Sequence, residues 1–487
     1  MFFNIFRFCG IVVLWWVIVW YVLPADVRQL PPFSLVLLHV VPPLTVELTW
    51  FLSKRLRIFL KARTALAVAA AQEREQQAAL DAAMAAHRTA LQQRRTGVEC
   101  RGVWALVPKV PDWYDDDGHS GRSALLEQSV EKVWAVGREA ALLPLLQRVF
   151  EAAVSQSEAV AWLPVYVTPG GVFDAATQQA LIEKAWQQAM AAQKVDRIPS
   201  RCDCRLLPGS GWAPDRAIAL FDGDPSLSAF VLLGMDLLLD GTEEDVDSGA
   251  WAGRRNVAPG YAVAAVLLSR PGLVAQPQEN AASGEGGEDE SYTPYWERDQ
   301  RGGDQVVRWG GLSQQLQFSL LALIPFATLR RPCSACCENP GRESELMRHM
   351  HHAVENVLIN AGLRDLPFRS DSDAVPEPSE DAAPPEDAAP LKLGWLVHNA
   401  GVMGDTARAT RMTVVALTLR DFGCEFDTVA DASNVSIEYG HVGAARSVLM
   451  LSEALIRLAQ RQKPVLAVEF GEGGNLDVML VQTLEDA

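Results

Sequence analysis

Apolar positions crowd the start of the chain. Phe8 to Leu23 reads FCGIVVLWWVIVWYVL, sixteen residues without a charge behind a lone Arg7. With the apolar and neutral residues before Arg7, the run approaches the roughly 20 residues needed to cross a bilayer. Trp15, Trp16, Trp20 and Tyr21 suit an interfacial belt. No clear small-x-small cleavage site follows, so an uncleaved membrane anchor is expected rather than a signal peptide. A second apolar stretch, Pro31 to Leu52, is interrupted by His39, the Pro42–Pro43 pair and Glu47. It reads as a poor second span or an interfacial segment kinked by its prolines. Ala65 to Arg95 is rich in Ala, Gln and Glu, which predicts a long helix or stalk.

From Cys100 the pattern alternates between strand-like and helical periods. RGVWALVPK predicts a strand, Ser123–Ala153 a helix, Ala159–Pro169 a strand and Ala175–Gln193 a helix. Two continuous apolar runs follow, Ser228–Leu239 and Gly260–Pro271, the signature of buried strands. Leu312–Leu329 is apolar and fits either state, and Glu343–Ala361 reads as a helix. After Leu391 the run LGWLVHNAG leads into a glycine turn and an amphipathic helix, Thr406–Arg420. ASNVSIEYG then reads as a strand, followed by a turn with His441 and an apolar helix from Val442 to about Arg461. PVLAVEFGEGG and NLDVMLVQT close the chain as two alternating runs about a glycine turn. This order predicts an α/β fold with a central sheet.

Composition narrows the function classes. The 487 residues, 49% hydrophobic and 21% charged, imply a folded chain of more than one domain. A net charge of −17 argues against non-specific nucleic-acid binding, which needs clustered Lys and Arg. Neither a phosphate-cradling P-loop nor an HExxH helix is present. The 8 cysteines are dispersed, unlike those of a small disulfide scaffold, and fit a reducing compartment. Lys54, Arg55, Arg57, Lys61 and Arg63 follow the second apolar stretch. Positive flanks stay inside, so a bacterial inner-membrane protein with a cytoplasmic body is expected.

Four stretches in order, AFVLLGMDLLL with GYAVAAVLLSRP, ELMRHMHHAVENVLINAGLRD, LVHNAGVMGD and YGHVGAA, resemble the ketosynthases and their thiolase-fold relatives. The resemblance implies a thiolase-like duplicated βαβ domain, layered α/β/α, behind the anchor and stalk. The expected organisation is then a membrane anchor (1–62), a stalk (63–97) and a first half (98–272). An acidic insertion (273–304), a connecting region with a helix (305–369), a Pro/acidic linker (370–390) and a second half (391–487) complete it. His398 and His441 match the family's two histidines. A nucleophilic cysteine on a strand-to-helix turn does not match; Cys202 and Cys204 are the nearest candidates, and Cys204 with His398 and His441 is the set an acyl-thioester enzyme would use. The sequence reading therefore favours a degenerate, non-catalytic fold with no cofactor, in which the histidines and Gly401, Gly404, Gly440 and Gly443 brace tight turns. The thiolase-like fold leaves a homodimer open.

Anchor, stalk, body and the stretch WGGLSQQLQFSLLALIPF are similar in layout to bacterial type VI lipase adapter proteins. That likeness implies an adaptor binding a lipase effector and a secretion spike protein. Three smaller constellations were weighed. Cys333, Cys336 and Cys337 with His349, His351 and His352 have zinc-ligand types, although three histidines within four residues cannot share one helical face. Asp115, Asp116, Asp117 and His119 fit a solvated acidic turn better than a cation loop. Trp296, beside the acidic insertion, suits a partner contact.

Overall fold

The computed structural model describes residues 2–22, 30–114, 122–128, 137–193, 199–237, 260–275, 312–367, 392–402, 406–424, 427–428 and 430–484. Asp115–Asp117 and His119, Trp296, the acidic stretch from Gln276, the 370–390 linker and Gly404 lie outside the described residues. The chain divides into two compact units between Arg88 and Thr89.

The first unit holds helix α1 (Phe2–Val17), a π-helical turn (Ile18–Val22) and most of helix α2 (Pro32–Arg94). The proline pair does not interrupt α2, and the expected kinked second segment and the stalk are one helix. Pro42 has no N–H to offer the carbonyl of Leu38, four residues back. The indole Nε1 of Trp15 donates to that carbonyl instead, at 2.8 Å. Arg7 pairs with Glu47 and lies 3.1 Å from the Trp50 ring centroid, so α1 and the start of α2 form a helical hairpin. α2 is long and apolar enough to cross a membrane, and the apolar Arg7–Val22 is a shorter helical stretch.

The second unit is built around one sheet path. Its strands are β1 (Gly97–Val107), β2 (Ser123–Glu127), β3 (Val165–Val167), β4 (Cys204–Leu206), β5 (Ala229–Leu237) and β6 (Tyr261–Ser269). They continue with β7 (Ala327–Arg330), β8 (Cys333–Cys336), β9 (Trp395–His398), β10 (Ala432–Asn434), β11 (Val465–Phe470) and β12 (Asn475–Gln482). The spatial order is β10-β9-β11-β12-β7-β1-β6-β5-β3-β4, with β2 on β1 and β8 on β12. Read outward from the antiparallel β7/β1 pair, the two halves have the same order and the same strand senses. The helices repeat as well. α3 (Arg138–Gln156), α4 (Ala175–Gln193) and α5 (Ala213–Gly223) serve the first half. After α6 (Gln314–Ala322), helices α7 (Glu343–Asn360), α8 (Thr406–Asp421) and α9 (Arg446–Arg461) take the same places in the second. This is the duplicated, thiolase-like arrangement expected from the sequence.

Strand alternation sends successive residues to opposite faces, and three apolar layers result. Val231, Leu233, Met235, Val263 and Leu267 face α3 and α4. Leu396, Leu466, Val468, Val478 and Leu480 face α7 and α8. Between the sheets, Phe230, Leu232, Val266, Val397, Ala467 and Val481 enclose α5 and α9. The body is thus helix/sheet/helix/sheet/helix, two α/β/α sandwiches sharing a central helical layer. α9 is buried all round from Val448 to Leu458, as such a position requires.

Several local expectations are corrected. Ser123–Glu127 is a strand parallel to β1, not the start of a helix, which begins only at Arg138. The run from Ala159 is broken into a 3₁₀ turn (Glu158–Trp162), in which the Ser157 hydroxyl accepts from the Ala159 N–H, and a three-residue strand after Pro164. ASNVSIEYG supplies three strand residues and then one helical turn, Val435–Glu438, capped by Asn434. β7 and β8 are separated at Arg331–Pro332, where the register against β12 slips by one residue.

α9 approaches β5 so closely that a Cβ on Gly234 would lie 2.7 Å from Val448 Cβ. Gly234→Ala is expected to lower stability by about 1–3 kcal/mol through overpacking. Gly341→Ala, which meets nothing within 4 Å, should be within about 0.5 kcal/mol of wild type. Denaturant titration of the two variants checks this.

Candidate functional site

Four chain segments meet where the first half touches the second. They are the turn from β4 into α5 (207–212), the residues after β9 (399–402), the turn into α9 (439–445) and the end of β11. Their joint is the carboxylate of Glu469, which is buried on β11. It accepts from the indole Nε1 of Trp212 at 2.5 Å, from Arg446 Nε at 2.8 Å and from Ser447 Oγ at 2.8 Å. Trp212 caps α5, and Arg446 and Ser447 open α9. One side chain therefore ties both central helices to the sheet, with charge-assisted hydrogen bonds.

His398 ends β9 and is buried. Its Nδ1 accepts the Ala400 N–H at 3.2 Å, which puts the ring proton on Nε2. Burial, reinforced by the nearby Arg408, pushes its pKa down from the usual 6.5 to about 4. It is a neutral imidazole in the physiological range. Asn399 beside it exchanges two hydrogen bonds with the Phe470 backbone, at 2.7 and 3.1 Å, and so latches β9 to β11. His441 is buried on the turn before α9. At that turn Gly443 has φ +50°, and a Cβ would sit 2.0 Å from Asp236 Oδ2. Asp236 accepts from the Ala444 N–H at 2.7 Å, at the N-terminal end of the helical segment. Its pKa is raised, chiefly by burial. The glycine is there because the carboxylate must come that close.

The cysteines do not join the histidines. Cys202 and Cys204 lie at the entry of β4, whereas the strand-to-helix turn leaves its other end. Burial first, then Asp203 and Glu183, pushes the Cys204 thiol up to about 12, and burial, then Cys204 and Glu183, pushes that of Cys202 well above its usual value. Neither is a thiolate at neutral pH. The turn reads LPGSGW and contains no cysteine. Cys333 and Cys336 sit on β8, the latter exposed. His351 stacks on Phe422 and the His352 ring faces Asn356. Cys337 and His349 do come together, with Glu345.

A second buried polar group went unnoticed in the sequence. The Arg457 guanidinium lies 3.4 Å from the ring centroid of Trp113 and 3.5 Å from that of Trp395. Trp113 Nε1 donates to Glu438 at 3.2 Å. Glu453, one helical turn before Arg457, is wholly buried, and desolvation followed by Glu438 pushes its pKa up to about 8. It is a protonated acid at neutral pH. Glu and Arg four residues apart inside an apolar helix were the available signal.

No protein-family model matches the sequence, and no curated protein matches it. Solved structures with a similar chain path include 3-oxoacyl-(acyl carrier protein) synthase III, FabH, from Pseudomonas aeruginosa PAO1. It is 14% identical with a TM-score of 0.38, covering 80% of this chain and 98% of that one. An OleA variant from Xanthomonas campestris is 11% identical, with a TM-score of 0.37 and coverage of 79% and 98%. The synthase III from Aquifex aeolicus VF5 is 13% identical, with a TM-score of 0.38 and coverage of 79% and 100%. The fold assignment rests on the strand order of this chain, and neither kind of comparison supports the type VI layout resemblance.

Two measurements check the site. Glu469→Gln should cost about 2–4 kcal/mol, because it leaves Arg446 without its countercharge; a change below about 0.5 kcal/mol would show the clamp to be passive. The lowered pKa of His398 means that the unfolded chain binds the extra proton between pH 6.5 and about 4. Stability conferred by the neutral ring is present above 6.5 and lost as pH falls through that window, by about 3 kcal/mol. Denaturation at pH 7 and 4.5 should therefore separate wild type from His398→Asn, with wild type losing more stability on acidification.

Proposed function

We propose that this chain is a membrane-anchored binding scaffold in which a ketosynthase-like architecture is kept without its chemistry. The observation that carries the reading is the turn before α5. Where a condensing enzyme would present a thiolate, the chain has Trp212, fastened to Glu469. The apolar part of α2 supplies the anchor, and the positive residues from Lys54 to Arg63 favour a cytoplasmic body at the bacterial inner membrane. Within this reading the chain acts as an adaptor. The layout shared with type VI lipase adapters makes a lipase effector and a secretion spike protein the partners to test. The net charge of −17 favours basic patches on both.

The test uses the full chain in detergent with a reactive acyl thioester, followed by intact-mass and peptide analysis. No acyl adduct is expected on any cysteine, and co-expressed phospholipase and spike protein should co-purify with the chain. An adduct on Cys204 that disappears in His398→Gln would contradict the proposal and restore the acyl-transfer reading.

A further inference from the structure

Helix α7 carries Glu345 and His349 four residues apart, on one face. Cys337, in the turn between β8 and α7, meets that face. The thiol sulfur, a Glu345 carboxylate oxygen and a His349 ring nitrogen all lie within 4.8 Å of one another. Around a zinc ion at the usual 2.0–2.3 Å bond lengths, such donors stand roughly 3.3–3.9 Å apart. A contraction of about 1.5 Å or less, within the reach of rotamer adjustment, closes the group.

The surroundings hold these donors in place. Glu345 accepts from the backbone N–H of Asn339 at 3.3 Å and from its Nδ2 at 3.4 Å, the kind of outer contact that orients a ligand. Cys337 is fully buried, and its N–H donates to the Gly474 carbonyl at 2.9 Å. Gly474 has φ +85°, and a Cβ there would fall 1.9 Å from the Cys337 carbonyl oxygen. The β11–β12 turn and the cysteine turn are therefore moulded to each other. A thiolate and a carboxylate around a divalent ion with a neutral imidazole sum to zero charge, so binding leaves no uncompensated charge in the half-buried site.

We propose that Cys337, Glu345 and His349 form a zinc site, with water in the fourth position, that pins the start of α7 to the tip of the β11–β12 hairpin. Binding replaces the S–H bond of Cys337 by an S–Zn bond and releases one proton to solvent. Cys333 and Cys336 are not ligands: both belong to strand β8, paired with Val478 and Asn475, and neither joins the group of donors. The proposal stands apart from the adaptor reading and survives its failure.

Full chain in detergent is stripped of metal under reducing conditions and titrated with Co²⁺, then with Zn²⁺. The expected result is one equivalent of tetrahedral Co²⁺ with a sulfur-to-metal absorption band, displaced by zinc. His349→Ala should weaken zinc binding by about 100-fold or more, and Cys336→Ser should not change it. Cys337→Ser should abolish the sulfur band. Absence of that band in the wild-type chain overturns the proposal without any variant having to fold. Zinc affinity unchanged in His349→Ala overturns it too.

Discussion

The body depends on burying α9 on every side, and one face of α5 beside it, between the two halves of the sheet. α9 presents eleven consecutive buried residues, Val448 to Leu458, to a space bounded by strands of both halves. Leu449, Leu451, Leu455 and Leu458 each contribute roughly 2 kcal/mol by leaving water. Two further constraints follow from the same burial. The polar residues that α9 carries are held inside the core, where burial pushes the Glu453 pKa up and Arg457 lies between two indole rings. The strands and turns that receive the helix must also be small, which fixes Gly234 and Gly443.

The Glu469 clamp is the link from this packing to function. The start of α5 carries a tryptophan whose indole N–H is committed to a buried carboxylate. The histidines, which in sequence looked like half of a catalytic set, are buried in turns, and His398 uses its Nδ1 to hold the next loop. A neutral imidazole whose Nδ1 is committed to the next loop braces that turn.

The fold was legible because duplication repeats simple signals. The continuous apolar runs of β5 and β6, the limits of α4 and the final hairpin all follow from periodicity. β4 was not legible, and the strands expected over Ala159–Pro169 and ASNVSIEYG shrink to the three residues of β3 and β10, because strands this short carry no periodicity and are set by their neighbours. α2 was misjudged at Pro42, since the partner that relieves the proline, Trp15, lies 23 residues from the carbonyl it serves. At the candidate site, the turn glycines and the two histidines were visible. Glu469 was not, because a single acid within VLAVEF looks like the solvent face of a strand. Only the pairing of β11 with β9 and β12 puts it indoors. Cys337 and His349 were among the residues visible in the sequence, and the signal for Glu345 is its spacing of four from His349.

The central claim is that the entries of α5 and α9 are committed to structure by the buried Glu469 carboxylate. Amide hydrogen exchange of the full chain, with and without a large excess of long-chain acyl thioester, tests it most directly. The account predicts strong protection across 207–223 and 439–461 that the thioester leaves unchanged. A thioester-dependent slowing of exchange confined to those two segments would contradict it.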